Sequence, residues 1–306
     1  MAYDVSSFTD FIQRDNQILT KTLFAGGDSA KFAMFMAGVK GSTTIPLISG
    51  NAQIQSGLCP TPSGSTAAEL VTLAVSAWTV YEEFCQDDLE TKFPNTILAP
   101  GSYNAEDGLV PWEEELVSTK LASIAEQLEL TYWQGDTAGT YSTFDGFIKQ
   151  IDAAVGVVDG NTGSVSGSIT QANVKAVVDA VRAAAPTKVK RDSSFVILVG
   201  DDVFDTYIAK EKADNLYHYI PEHDNGVYKI GGSGATLIRT YGLDGTSRIF
   251  ASVGRNFIIG SDVLNEDQIA DVFYDRTDDK VYLRVKAKSG VTISNPEEIV
   301  EFTLGV

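Results

Sequence analysis

Residues 41–80 carry a single charged side chain, Glu69, and are rich in Ser, Thr, Gly and Pro. Two pieces of strand-like composition, 43–48 and 70–81, flank a turn-rich centre at 57–67. This pattern predicts a long two-stranded excursion with a loose tip. A two-stranded ribbon is marginally stable alone in water, and an uncharged one invites association. We therefore expect a partner to cover the excursion; the alternative is a ribbon folded back on its own domain.

The composition limits the class of protein. With 306 residues, 43% of them hydrophobic and 10% aromatic, the chain can form one large or two moderate domains with a packed core. A formal net charge of −18 argues against a dedicated nucleic-acid binder, because such binding depends on Lys and Arg neutralising phosphates. Between Glu82 and Glu115 the chain holds ten acids and one base, Lys92. This acidic stretch is either a solvated face, or a surface that meets a basic neighbour or lies along DNA without adhering to it.

The N-terminal residues predict an arm ahead of the core. Residues 4–24 fit an amphipathic helix that ends at Gly26 and Gly27, and we expect it to pack on another subunit. Its apolar positions are Phe8, Phe11, Ile12, Leu19 and Leu23. The sequence shows no signal-peptide pattern and no apolar run of about 20 residues, which favours a cytoplasmic product. Cys59 and Cys85 are then expected to be reduced thiols.

The most distinct helix pattern covers residues 111–134. Pro111 suits the first helical position, the acids at 113–115 suit the positive end of the helix dipole, and Gly135 ends the pattern. The apolar stripe consists of Val117, Leu121, Ile124, Ala125, Leu128 and Tyr132. At about 1.5 Å per residue the predicted helix is roughly 36 Å long.

The region after a loop at 161–168 predicts an α/β unit. A valine-lined helix ends at Pro186, an apolar strand follows at 194–200, and a second helix ends near Lys212. The candidate caps are Thr170 or Ser168 for the first helix and Asp201 or Asp202 for the second. A helix, a doubly buried strand and a helix in this order are typical of α/β architecture.

The chain becomes strand-rich from residue 226. Short strands are predicted at 235–240, 248–252, 256–259 and 299–304, and a hairpin at 269–276 and 280–288. The second hairpin strand alternates, with Val281, Leu283, Val285 and Ala287 on one face and Tyr282, Arg284, Lys286 and Lys288 on the other.

Signatures of enzyme chemistry are absent from the sequence. The motifs GxxxxGK[ST], GxGxxG, GxSxG, HExxH and CxxC do not occur. The weak candidates are a metal site from His218, His223, Glu222 and Asp224, a cofactor site at Asp201, Asp202 and Asp205, and a glycosidase pair among Glu82, Glu83, Asp87 and Asp88. A polar surface loop, helix capping and a solvated face explain these three groups more simply. We expect no enzyme activity, no cofactor and no metal.

The order of these elements resembles the HK97-type fold of tailed-bacteriophage major capsid proteins. Three stretches carry the resemblance. They are GDTAGTYSTFDGFIKQI at 135–151, SITQANVKAVVDAV followed by SFVILVGDDVFDTYIA, and the closing RVKAKSGVTISNPEEIVEF. The implied fold class is α+β, with an N-terminal arm, an extended E-loop hairpin, a peripheral domain with a long spine helix and β-ribbon, and an α/β axial domain.

The resemblance also implies domain boundaries and contacts. Residues 1–40 would be the N-terminal arm, 41–81 the E-loop, 82–167 with 277–306 the peripheral (P) domain, and 168–276 the axial (A) domain. The expected inter-subunit contacts of the E-loop are Ile45, Leu47, Ile48, Ile54, Leu58, Pro60, Leu70 and Leu73. Those of the arm are Phe8, Phe11, Ile12 and Leu19.

The function implied by the resemblance is structural. Copies of the chain would assemble as hexamers and pentamers into an icosahedral capsid around double-stranded DNA, in the host cytoplasm, with a portal protein and with separate scaffolding and decoration or cement proteins as partners. No Lys lies between Lys40 and Lys92, so the covalent E-loop cross-link of some members is not expected. Met1 leads directly into the arm, so a cleaved scaffolding segment is not expected. The alternatives are an encapsulin nanocompartment shell, a phage tail or baseplate protein, and a carbohydrate-active hydrolase.

Overall fold

A computed structural model describes residues 27–52, 56, 64–85, 111–139, 141–163, 165–214, 226–231, 234–262, 270–275 and 280–305. Its strands are Met34–Ala37 (β1), Ser42–Ala52 (β2), Gly64–Ala74 (β3), Ser76–Cys85 (β4), Val158–Asp159 (β5), Phe195–Val199 (β6), Val227–Lys229 (β7), Thr236–Arg239 (β8), Ile249–Val253 (β9), Phe257–Ser261 (β10), Ala270–Asp275 (β11), Lys280–Ile293 (β12) and Val300–Phe302 (β13). Its α-helices are Pro111–Gln134 (α1), Phe147–Ala153 (α2), Val174–Ala184 (α3), Thr187–Lys190 (α4) and Asp201–Ala213 (α5). The predicted N-terminal helix lies outside these residues.

The long helix α1 has the bounds that the sequence predicts. Its buried side chains include Leu121, Leu128 and Trp133, which join a core cluster shared with β10 and β12. The helix ends where Gly135 passes close to other backbone: an added Cβ would lie 2.5 Å from the Thr131 carbonyl oxygen and would overlap that of Phe144. Gly135 is therefore required by close approach and carries no positive φ.

A five-stranded sheet packs against α1. Its order is β1–β10–β12–β11, and β4 pairs with β12 as well. The long strand β12 has the predicted alternation, because Leu283 and Val285 are buried toward the core. Tyr282, on the opposite face, is also buried, because its ring stacks between those of Tyr81 and Phe273 at centroid distances of 5.3 and 5.5 Å.

A six-stranded sheet forms the second layer, in the order β5–β13–β9–β6–β8–β7. All five residues of β6 are buried, as the apolar run predicts, and the valines of α3 pack over this sheet together with α5. The predicted α/β unit is therefore confirmed. The sheets cross the expected domain boundaries at 167 and 276: β10 and β11 lie in the five-stranded sheet, and β5 and β13 lie in the six-stranded one.

Three local predictions are wrong. The residue that precedes α3 is Asn173, and not Thr170 or Ser168; its side chain does not cap the first turn but accepts a hydrogen bond from the Thr170 amide at 2.7 Å. Gly200 occupies the cap of α5, one residue before the acids predicted there. The predicted strand at 70–81 is two strands separated at Val75.

Candidate assembly surface

Strands β2 and β3 form a two-stranded antiparallel ribbon, called the ribbon below. Its register runs from the pair Ser42 and Ala74 to the pair Ala52 and Gly64. Each strand has 11 residues, which at about 3.3 Å per residue gives a ribbon roughly 36 Å long. Among the described residues, neither strand pairs with a third one. The prediction of a long two-stranded excursion is confirmed, although β2 extends beyond the predicted 43–48 and β3 begins before the predicted 70.

The two faces of the ribbon differ in burial. One face, called the outer face below, is exposed at every described side chain: Ser42, Thr44, Pro46, Ile48, Thr66, Ala68, Leu70, Thr72 and Ala74. Ile48 is 72% exposed and Leu70 is 71% exposed. The outer face carries no charge, and Pro46 lies opposite Leu70 on it. Such an apolar surface on a slender element is typical of a protein–protein contact.

The other face is buried where the ribbon joins the body. Leu73 is fully buried in a small cluster with Val39 and Ile258, and Ile45 packs against this cluster. Leu73 is therefore covered by its own chain, and the prediction that it contacts another subunit is wrong. The physical reason is that residues three apart on a strand point to opposite faces, so Leu73 and Leu70 cannot share one surface.

The remaining predicted contact residues lie on one face of the ribbon, on the other face, or outside the described residues. Leu47 is half-buried on the same face as Ile45, while Ile48 and Leu70 lie on the outer face. The others fall outside the described residues: Ile54, Leu58 and Pro60 of the E-loop and Phe8, Phe11, Ile12 and Leu19 of the arm. Pro46 belongs to the outer face and was missed from the sequence, although the alternation with Ile48 marks it.

A second apolar surface lies at the edge of the five-stranded sheet. Among the described residues, strand β1 pairs in parallel with β10 and with no other strand, and its Met34 and Phe35 are 48% and 44% exposed. Edge strands with apolar side chains are open to pairing or packing with another chain. The sequence signal for this surface is the uncharged run at 32–39, which Lys40 separates from the uncharged segment at 41–68.

The acidic stretch at 82–115 begins with two paired carboxylates. Glu82 lies 2.7 Å from Nζ of Lys120 on α1, and Glu83 lies 2.9 Å from Nζ of Lys280 on β12. Both pairs are partly exposed, so each stabilises the fold by about 1 kcal/mol or less. The acids at 87, 88, 90, 106 and 107 fall outside the described residues.

A buried polar junction joins the first described residues to α1. Glu129 Oε1 accepts hydrogen bonds from the Ser29 amide at 3.1 Å and the Ser29 hydroxyl at 2.6 Å, and Trp133 Nε1 donates to Ser29 Oγ at 2.8 Å. Burial raises the pKa of Glu129 to about 7, and the Ser29 hydrogen bonds oppose this rise. Sequence reasoning missed this junction, because its partners lie 100 residues apart.

The described residues show little that resembles a catalytic or metal site. No group of three or more His, Cys, Asp or Glu comes together there as a metal would require. His218 and His223 fall outside the described part of the chain. Asp201 lies 3.3 Å from Nε of Arg239, and burial raises the pKa of its carboxyl. No helix in the described ranges is both long and apolar enough to cross a membrane.

Comparison with known proteins gives matches to solved structures. A chain of Gordonia phage Cozz aligns with a TM-score of 0.58 at 10% identity, over 92% of this chain and 87% of that one. The capsid of an empty GTA particle aligns with a TM-score of 0.56 at 12% identity, over 92% and 90%. The satellite phage P4 procapsid, in a structure that includes the size determination (Sid) protein, aligns with a TM-score of 0.56 at 11% identity, over 94% and 98%.

The chain has the HK97-like capsid fold. The alignments cover 92% and 94% of this chain and 90% and 98% of the matched chains, so the likeness extends over nearly the whole length. No family model matches the sequence, and no curated protein matches it either. The fold expected from the order of sequence elements is therefore confirmed by structure.

Proposed function

We propose that the chain is the major capsid protein of a tailed bacteriophage. It is a structural protein whose copies assemble into an icosahedral shell around double-stranded DNA. The observation that carries the proposal is the outer face of the ribbon, which is uncharged, apolar and exposed on a fold found in phage capsids. Fold likeness alone does not establish function, so this surface is the specific argument for self-association.

The parts of the fold take the following roles. The ribbon is the E-loop, the five-stranded sheet with α1 is the P domain, and the six-stranded sheet with α3 and α5 is the A domain. This division follows the sheets: it moves β10 and β11 from the A domain of residues 168–276 into the P domain, and it moves β5 and β13 from the P domain into the A domain. The arm proposed at residues 1–40 ends with β1, which joins the five-stranded sheet, and we propose that its Phe8, Phe11, Ile12 and Leu19 contact a neighbouring subunit.

The outer face of the ribbon rests on a neighbouring copy within a hexamer or pentamer. Burying a Leu or Ile side chain that is now exposed contributes about 1.5–3 kcal/mol. Burial of Ile48 and Leu70 would therefore supply a substantial share of the binding free energy of one weak contact between two subunits. Because a closed shell repeats this contact at every subunit, modest contacts suffice for a stable particle.

The chain works without catalytic chemistry or a cofactor in this role. Its other partners are a portal protein, a separate scaffolding protein and decoration or cement proteins, with packaged DNA held by proximity. The acidic stretch at 82–115 lies along the DNA and does not adhere to it, because like charges repel. The shell is held by non-covalent contacts, since the segment between Lys40 and Lys92 offers no Lys for a cross-link.

Expression of the chain, alone and with its neighbouring genes, tests the proposal by negative-stain electron microscopy. We expect closed shells of uniform diameter from the wild type. Leu70→Asp places a charge on the outer face and should abolish shells while the soluble protein keeps its fold by circular dichroism. Val155→Asp is the matched control, since Val155 is 93% exposed and lies outside the ribbon. A wild-type protein that stays monomeric under all these conditions contradicts the proposal.

A further inference from the structure

The base of the ribbon crosses the five-stranded sheet at a pair of glycines. Gly260 of β10 and Gly290 of β12 are direct partners across the two strands, and both are buried. Side chains of directly opposed residues on neighbouring strands project from the same face. The two glycines therefore leave one shared notch on one face of the sheet, called the glycine notch below.

The notch is filled by the last residues of β3. A Cβ built on Gly290 would overlap the carbonyl oxygen of Ala74 and would lie 3.0 Å from its carbonyl carbon. A Cβ built on Gly260 would lie 2.7 Å from Cδ2 of Leu73, which is fully buried. At Gly290 the obstacle is backbone, which cannot rotate away as a side chain can.

Further contacts next to the notch hold the base of the ribbon. The Val75 amide donates to the Gly41 carbonyl at 2.8 Å, which ties the end of β3 to the chain that enters β2. The Thr292 hydroxyl donates to the Thr72 carbonyl at 3.4 Å. Leu73 also packs on Ile258 and Val39, next to the notch. The ribbon is thus fixed at its base on both of its strands.

We propose that the glycine notch sets the direction in which the ribbon leaves the body, and that Gly260 and Gly290 are positioning residues for assembly. The proposal rests on the proposed function, because the ribbon is taken as the element that reaches a neighbouring copy. A side chain in the notch would lift the base by on the order of 1 Å, since packed atoms tolerate no overlap. Because the base is also fixed at other points, such a lift tilts the ribbon, and over a length of roughly 36 Å the tilt becomes a larger displacement at the far end. The angle between neighbouring subunits, and with it the curvature of the shell, would change.

The direct test compares glycine variants in shell assembly. Gly290→Ala and Gly260→Ala should shift the shell diameter or give open and irregular particles, while the unassembled proteins keep the wild-type circular dichroism spectrum. Gly231→Ala is the matched control, because an added methyl group there would meet nothing within 4 Å. A purely structural role would lower yield and thermal stability and leave the diameter of the surviving shells unchanged. Shells of wild-type diameter and yield from both notch variants would overturn the proposal.

A compensating change separates positioning from general damage. Leu73→Ala removes the side-chain end that an alanine at 260 would strike. In the Gly260→Ala background it should bring the shell diameter back toward the wild-type value. The same Leu73→Ala change should not rescue Gly290→Ala, where the conflict is with the Ala74 backbone. If Leu73→Ala restored the shell diameter equally in the Gly260→Ala and Gly290→Ala backgrounds, or in neither, the result would contradict the proposed role of the glycine notch.

A distance measurement on unassembled protein tests the notch without any shell. Spin labels at Ile48→Cys and Val155→Cys, with Cys59 and Cys85 replaced by Ser, report the ribbon direction relative to the body. Gly290→Ala should shift the distance distribution from electron–electron resonance, and Gly231→Ala should not. Identical distributions in wild type and Gly290→Ala would disprove the inference. If Gly290→Ala shifted the distance distribution but the wild-type chain never formed shells, the positioning role of the notch would be supported and the capsid role would be disproved.

Discussion

Strand β6 and the ribbon strands are both rich in apolar and β-branched residues, yet their surroundings are opposite. All five residues of β6 are buried between α-helices and neighbouring strands, whereas the outer face of the ribbon is exposed along its length. The comparison teaches that apolar content alone does not place a strand in the core. A strand belongs to the core when both of its edges and both of its faces find partners within the chain.

The largest expected effect comes from a matched pair of leucines. Leu198 in β6 is fully buried, and Leu70 on the ribbon is 71% exposed. Leu198→Ala should lower the free energy of unfolding by about 2–5 kcal/mol, because it leaves a cavity in a packed core. Leu70→Ala should change it by less than about 0.5 kcal/mol. Urea unfolding of the unassembled proteins measures both, and a comparable loss from Leu70→Ala would show that the ribbon is packed on its own body.

The second effect depends on pH and concerns the buried carboxyl of Glu129. Its pKa is about 7 in the folded chain, against 4.5 for an exposed Glu. The folded state thus holds the proton more tightly, so stability falls as pH rises from about 4.5 to 7 and is level above that. The loss is on the order of 3 kcal/mol. Glu129→Gln should remove this part of the pH dependence, which unfolding curves at pH 5 and pH 8 for both proteins will measure. If the unfolding free energy changed equally between pH 5 and pH 8 in both proteins, burial would not raise the pKa of the Glu129 carboxyl.

The smallest effect concerns the aromatic stack between the core and the solvent. Tyr81 is 55% exposed and stacks on Tyr282 with the ring planes at 4° to each other. Tyr81→Ala should cost about 0.5–1.5 kcal/mol of unfolding free energy, which is less than a core truncation and more than a ribbon truncation. Thermal unfolding of the unassembled protein measures it. A cost as large as that of Leu198→Ala would show that the outer side of the five-stranded sheet behaves as core.

Much of the architecture was available from the sequence, and the reasons are local. Helix α1 was predicted with its bounds because Pro111 and Gly135 mark its ends and its apolar stripe has helical spacing. The ribbon was predicted because its near absence of charged residues can be seen in any short stretch of its sequence. The break at Val75 was not, since the composition of 70–81 is continuous and only the change of pairing partner, from β2 to β12, ends one strand and begins the next.

The candidate surface was predicted only in part. Ile48 and Leu70 were identified, but Leu73 was grouped with them, although strict alternation would have placed it on the opposite face. The caps of α3 and α5 were misplaced, because Ser, Thr and Asp residues near each helix start are also favoured as caps. The glycine notch and the Ser29–Glu129 junction depend on contacts between distant segments, which no local pattern contains.

The junction at Ser29 also determines where mechanical load enters the molecule. The chain ahead of residue 27 is joined to the body through a short turn whose Ser29 is held by Glu129 and whose Asp28 accepts a hydrogen bond from the Tyr241 amide at 3.1 Å. A pull on the N-terminal residues is therefore delivered to the C-terminal half of α1 and to the loop at 241–243.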